Sequence, residues 1–132
     1  MKSALTLLAL VTSLSLAGCT NKTDPGVTTV THDITYIVSE TGVNSVVTQV
    51  MYTDTDGATV TLNTPVLPWT VDATRAAGSS AALAVTGTTG ATSTITAIIQ
   101  DDPDTNPSPV THASQTCLEN TDPCTINLSN AF

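Results

Sequence analysis

From about residue 28 to the end of the chain, apolar and polar side chains alternate with a period of two, and no segment carries a 3.6-residue apolar stripe. Period two places successive side chains on opposite faces of an extended strand, so each run predicts a strand with one face inward. The first covers about Thr28 to Ser39, with Ile34, Tyr36 and Val38 on one side. The second covers about Ser45 to Thr53, with Val46, Val50 and Tyr52 likewise, and Asp54-Thr55-Asp56-Gly57 then turns the chain into Ala58–Asn63, where Val60 and Leu62 face inward. In Val66–Val71, Leu67, Trp69 and Val71 alternate with Pro68 and Thr70. Proline cannot donate to a ladder, which puts this strand at a sheet edge, and Trp69 is expected to pack into the core as the tryptophans of sandwiches do. Further strands are predicted at Ala81–Thr86, Thr92–Gln100, Val110–Thr116 and Thr125–Leu128. Two segments break the pattern. Arg75–Ala84 is rich in alanine but interrupted by Gly78 and serines, and is read as a loop leading into a strand; Asp101–Pro109 has three prolines and is read as a long exposed hairpin connection. The expectation is an all-β fold, a small immunoglobulin-like β-sandwich of seven to eight antiparallel strands over residues 28–132.

The pattern changes at the N-terminus. Lys2 is followed by Ala4–Ala17, a run without charge that is shorter than the ~20 residues a spanning helix requires. A cleaved export signal over residues 1–18 is the expectation. Leu16-Ala17-Gly18-Cys19 resembles the lipobox of bacterial lipoproteins, in which the peptidase cuts before the cysteine and the sulfur carries a diacylglycerol. That resemblance implies Cys19 as the lipidated first residue of the mature chain, with residues 19–27 as a polar tether able to reach about 20 Å at full extension. Thr20 follows the cysteine where an aspartate would be the retention signal for the inner membrane, so in a Gram-negative cell the outer membrane is expected.

Charge then narrows the partners. The chain carries 11 acidic residues against three Lys and Arg, a net charge of −8. Such a surface repels a phosphate backbone, which argues against nucleic acid, and it gains nothing from anionic headgroups. Membrane attachment must therefore rest on acyl chains. With Cys19 assigned to the anchor, Cys117 and Cys124 enclose a polar, turn-forming segment and are expected to form a local disulfide. The chain-entropy model gives a loop of that length about 2–3 kcal/mol.

Candidate chemistry is sparse. Asp102, Asp104 and Asn106 stand at positions one, three and five of an EF-hand-like loop, but position six is Pro107 and position twelve is Ala113, so the glycine and the bidentate glutamate are missing. The loop is at most a weak calcium candidate. There is no G-x-S-x-G elbow, no second cysteine pair at zinc spacing, and only two histidines, His32 and His112. No catalytic residues, cofactor or metal centre are expected.

Val50–Thr74, with its Tyr52-Thr53-Asp54-Thr55-Asp56-Gly57 hairpin and its Leu67-Pro68-Trp69-Thr70 segment, resembles the signature region of the MmpS-type transport accessory proteins of mycobacteria. Upstream, Ile34–Gly42 is similar to the opening strand of that domain, and downstream Ser93–Asp102 matches its penultimate strand in position. The resemblance implies a small exported β-sandwich without catalytic residues that assists an RND-type membrane transporter. The chain departs from the family in its lipobox, where members have a transmembrane helix, and in Ala97, which stands where the family has a cysteine. The functional expectation is a lipid-anchored envelope protein, an accessory or interaction subunit of a membrane complex such as a transporter. The alternative is a free-standing surface or periplasmic module that binds a small ligand, glycan or calcium.

Overall fold

The computed structural model describes residues 29–102 and 104–132. The signal segment, Cys19 and the tether lie outside them. Eight antiparallel strands follow one another: β1 (Thr31–Thr41), β2 (Val46–Thr53), β3 (Thr59–Asn63), β4 (Trp69–Ala76), β5 (Ser80–Thr88), β6 (Thr94–Asp101), β7 (Thr111–Cys117) and β8 (Cys124–Ala131). They form two four-stranded sheets, β4-β1-β6-β7 and β3-β2-β5-β8, packed as a β-sandwich. β1, β2, β4 and β5 pair as strands B, C, E and F of an immunoglobulin domain do, β3 takes the place of C′, and β8 that of G. The departure lies on the other flank of β1. Where strand A would run, β6 pairs with β1 and carries β7 beyond it.

The core is made by the inward positions of both sheets. Ile34, Tyr36 and Val38 from β1 meet Ile95, Ala97 and Ile99 from β6, and the facing layer is Val50, Leu83, Val85 and Ile126, all fully buried. Each of these large aliphatic side chains contributes about 1.5–3 kcal/mol relative to exposure, so the alternation itself is the main source of stability. Two glycines mark close backbone approaches. Gly42, with φ +85°, leaves no room for a side chain because a Cβ would stand 1.9 Å from the Thr92 carbonyl oxygen; at Gly87 it would stand 2.3 Å from that of Val46.

β4 is an edge strand, as the prolines before it require. Two expectations need correction. The segment from Arg75 to Ala84 is not a loop: β4 runs to Ala76 and β5 begins at Ser80, with a tight turn at Gly78 (φ +83°) between them. Apart from Ala77 in that turn the alanines are strand positions, Ala81 buried in the core and Ala82 and Ala84 on the outer face, where pairing on both sides of β5 overrides their helix preference. Val46 does not share a face with Val50. A bulge between Val47 and Gln49 adds one residue, which turns Val47 inward and leaves Val46 exposed.

Candidate functional site

Three places on the sandwich bear on function, and two of them hold side chains that the sequence singles out. The first is the tip of the β2–β3 hairpin. Arg75, on the inward side of β4, is only 6% exposed and reaches across to the opposite sheet, where its Nη1 donates to the carbonyl oxygens of Asp54 and Thr55. Beside it the Tyr36 hydroxyl donates to the Thr53 carbonyl at 2.8 Å. Burial pushes that hydroxyl up to about 12, against a smaller opposing effect of the Arg75 charge. The Asp54 carboxylate accepts the Ala58 amide at 2.9 Å, and the Thr55 hydroxyl accepts the Thr74 amide at 3.2 Å. Three successive turn carbonyls thus face donors from the interior, one of them a cation. The Asp54–Gly57 turn is held as a hairpin from within, as its residues predicted.

Tyr36, Tyr52 and Trp69 continue this packing. Their rings form a tilted series with centroids 5.6 Å and 5.4 Å apart, and Trp69 lies half-buried against the core. The Tyr52–Gly57 hairpin and the Leu67–Thr70 segment, 17 residues apart at their aromatic rings in sequence, are therefore in contact in space.

The second place is the β6–β7 end. Asp102, Asp104 and Asn106 do not converge on a common centre. The Asp102 carboxylate accepts the Asp104 amide at 2.8 Å, while the Asn106 amide donates to Asp101 Oδ2 at 2.8 Å and its carbonyl accepts the Ser108 amide at 3.1 Å. The residue that organises the loop is Asp101, whose other oxygen lies 2.6 Å from His112 Nε2. That hydrogen bond, with further ones from Val110 and Asn106, holds the Asp101 carboxyl below its usual range. Phe132 closes this end, its ring 4.8 Å from that of His112 and 5.3 Å from that of His32. Among the described residues no three His, Cys, Asp or Glu side chains are placed to hold a metal ion.

Cys117 and Cys124 are bonded, with Cα atoms 5.8 Å apart. The bond ties the end of β7 in one sheet to the start of β8 in the other, so it clasps the two edge strands on one side of the sandwich.

The third place was not recognisable before the strands were sorted into sheets. β2, β3, β5 and β8 contain no Asp, Glu, Lys, Arg or His. Within the strands, every charged residue lies on the other sheet: Asp33 and Glu40 on β1, Asp72 and Arg75 on β4, Asp101 on β6. The outer surface of the β3-β2-β5-β8 sheet is built in rows across the strands. One row is Thr61, Met51, Ala84 and Asn127; the next is Thr59, Thr53, Ala82 and Ser129. Where the small alanines adjoin Met51, a shallow depression of about 180 Å³ opens, lined mainly by apolar atoms of Met51, Tyr52, Ala82 and Ala84 with Thr53 and Thr59. The opposite outer surface is bonded to itself by polar side chains, with Thr35 donating to Asp72 at 2.7 Å and Thr74 to Asp33 at 2.9 Å.

The chain matches no protein-family model and no curated protein.

Proposed function

We propose that this chain is a lipid-anchored, non-catalytic envelope protein whose β-sandwich serves as an accessory or interaction subunit of a membrane complex. The observation that carries the reading is the charge-free sheet. On a chain of net charge −8, the four strands of one sheet carry no Asp, Glu, Lys, Arg or His, and an apolar depression opens on their outer surface. Charge is depleted at the centres of protein–protein contacts, and methionine is enriched there. A deeper, enclosed cavity with convergent polar groups would instead have favoured a small-ligand module, and this depression is shallow. The contact between Tyr52 and Trp69 adds support to the MmpS-type resemblance, because it joins in space the two motifs on which the resemblance rests. A transport complex is accordingly the kind of partner proposed. The anchor is Cys19, and the Cys117–Cys124 disulfide agrees with a compartment outside the cytoplasm.

Crosslinking the full chain in its native envelope tests the partnership. Recovery of a membrane protein is the expected result, and recovery of none under several crosslinking chemistries would overturn it. The anchor is tested by Cys19→Ser, which should leave the chain unprocessed or soluble. A variant that fractionates and migrates as the wild type does would exclude lipidation.

A further inference from the structure

Resting on the reading of the β3-β2-β5-β8 sheet as the contact face, we propose that the chain enters such a complex as a dimer, this face being covered by a second copy of the chain packed face to face about a twofold axis and the membrane partner being met elsewhere on the pair. Electrostatics selects this face. Two copies of net charge −8 repel each other, and a self-contact stands only where no carboxylates are brought together. The other outer surface would oppose Asp33 and Asp72 of one copy to those of the next.

Symmetry supplies the second argument. A twofold contact uses the same patch on both copies, so the patch must carry a projection and a recess that fit each other. Met51 is exposed and flexible, and the alanines beside it form the recess, so a twofold rotation seats each Met51 on the Ala82–Ala84 depression of its mate. Methionine suits such an irregular gap.

Area sets the strength. Four strands about 4.8 Å apart and about 25 Å long give about 500 Å² per copy, or about 1,000 Å² in all, the low end of specific interfaces. The dimer is therefore weak and concentration-dependent, which suits chains gathered on a membrane surface.

The test places a photoreactive benzophenone amino acid at Met51 of the full chain in intact cells, with Ser114 on the outer surface of the other sheet as control. Irradiation should give an adduct of twice the chain mass whose joined peptides both come from this chain, from position 51 and not from 114. Ala84→Glu, which buries an unpaired carboxylate against the Met51 of the mate, should lower its yield about tenfold or more. Thr61→Glu should do the same and covers the case in which Ala84→Glu fails to fold. An adduct between position 51 and a different protein or a glycan would overturn self-pairing while leaving the face a contact surface. No adduct at all from position 51 would overturn both, and equal adducts from 51 and 114 would exclude a specific face.

Discussion

Arg75 joins the two sheets by two different means, and substitution separates them. Its aliphatic stem is buried under the β2–β3 hairpin, while its guanidinium donates to the Asp54 and Thr55 carbonyls and leaves its Nε buried without a partner. Arg75→Ala removes the stem as well as the charge. Its Cγ and Cδ methylenes at about 0.8 kcal/mol each give about 1.6 kcal/mol, the margin by which the alanine variant is expected to fall below one that keeps the stem. Arg75→Met keeps most of the stem. Like the alanine variant it loses the hydrogen bond to Asp54 and removes the unpaired Nε, whose burial costs about 1–3 kcal/mol, so the two differ in the stem alone. The Asp54 carbonyl remains satisfied by the Gly57 amide at 3.0 Å. The methionine variant is therefore expected within about 1.5 kcal/mol of wild type, in line with the frequent neutrality of replacing buried ions by apolar side chains. Urea unfolding followed by the fluorescence of Trp69, the single tryptophan, reads both variants on one scale. Equal destabilisation by alanine and methionine would refute the division, as would an alanine variant no less stable than wild type.

Other outcomes follow from the same geometry. Cys117→Ser with Cys124→Ser should lower stability by about 2–3 kcal/mol through loss of the short loop closure, and wild type under strong reductant should move its urea midpoint by a similar amount. Tyr36 ionises near pH 12 in the folded domain and near 10 when unfolded, so the unfolded state releases its proton first and stability falls as pH rises from about 10 through 12. A titration at 295 nm should show the delayed tyrosine, and Tyr36→Phe should abolish both the delay and that part of the alkaline loss. Asp101 has the opposite sign. Its folded-state pKa is depressed, so its contribution is present above the unfolded value of about 3.8 and is lost as pH falls through the folded one. Asp101→Asn should flatten the acid limb of a stability–pH curve; an unchanged limb would mean that the His112 contact contributes nothing.

The alternation of Ile34, Tyr36 and Val38, the turn at Asp54–Gly57 and the prolines before Trp69 were enough to place strands, a hairpin and an edge, because each is decided by local backbone preference. The period-two pattern puts Val46 on the wrong face since a bulge alters parity without leaving a mark in composition. Arg75 reads as a loop residue because Gly78 and the serines interrupt its segment; only the facing hairpin carbonyls explain its burial. β6 beside β1 was equally hidden, since pairing between distant strands is settled by tertiary packing. The absence of charge from β2, β3, β5 and β8 can be seen in the chain once their ranges are known. Its meaning depends on those four strands sharing one sheet, which no local pattern reveals.

The most direct test of the charge-free sheet as the contact surface is a charge scan of the full chain, read as the size of the complex it forms in solubilised native envelope. Ala84→Glu and Asn127→Glu place a carboxylate on the outer surface of the β3-β2-β5-β8 sheet, and Thr70→Glu and Ser114→Glu place one on the opposite surface. The first pair should release the chain to its free size while the second pair leaves the assembly intact. Release by the second pair, or an assembly indifferent to the first, would contradict the assignment of this face.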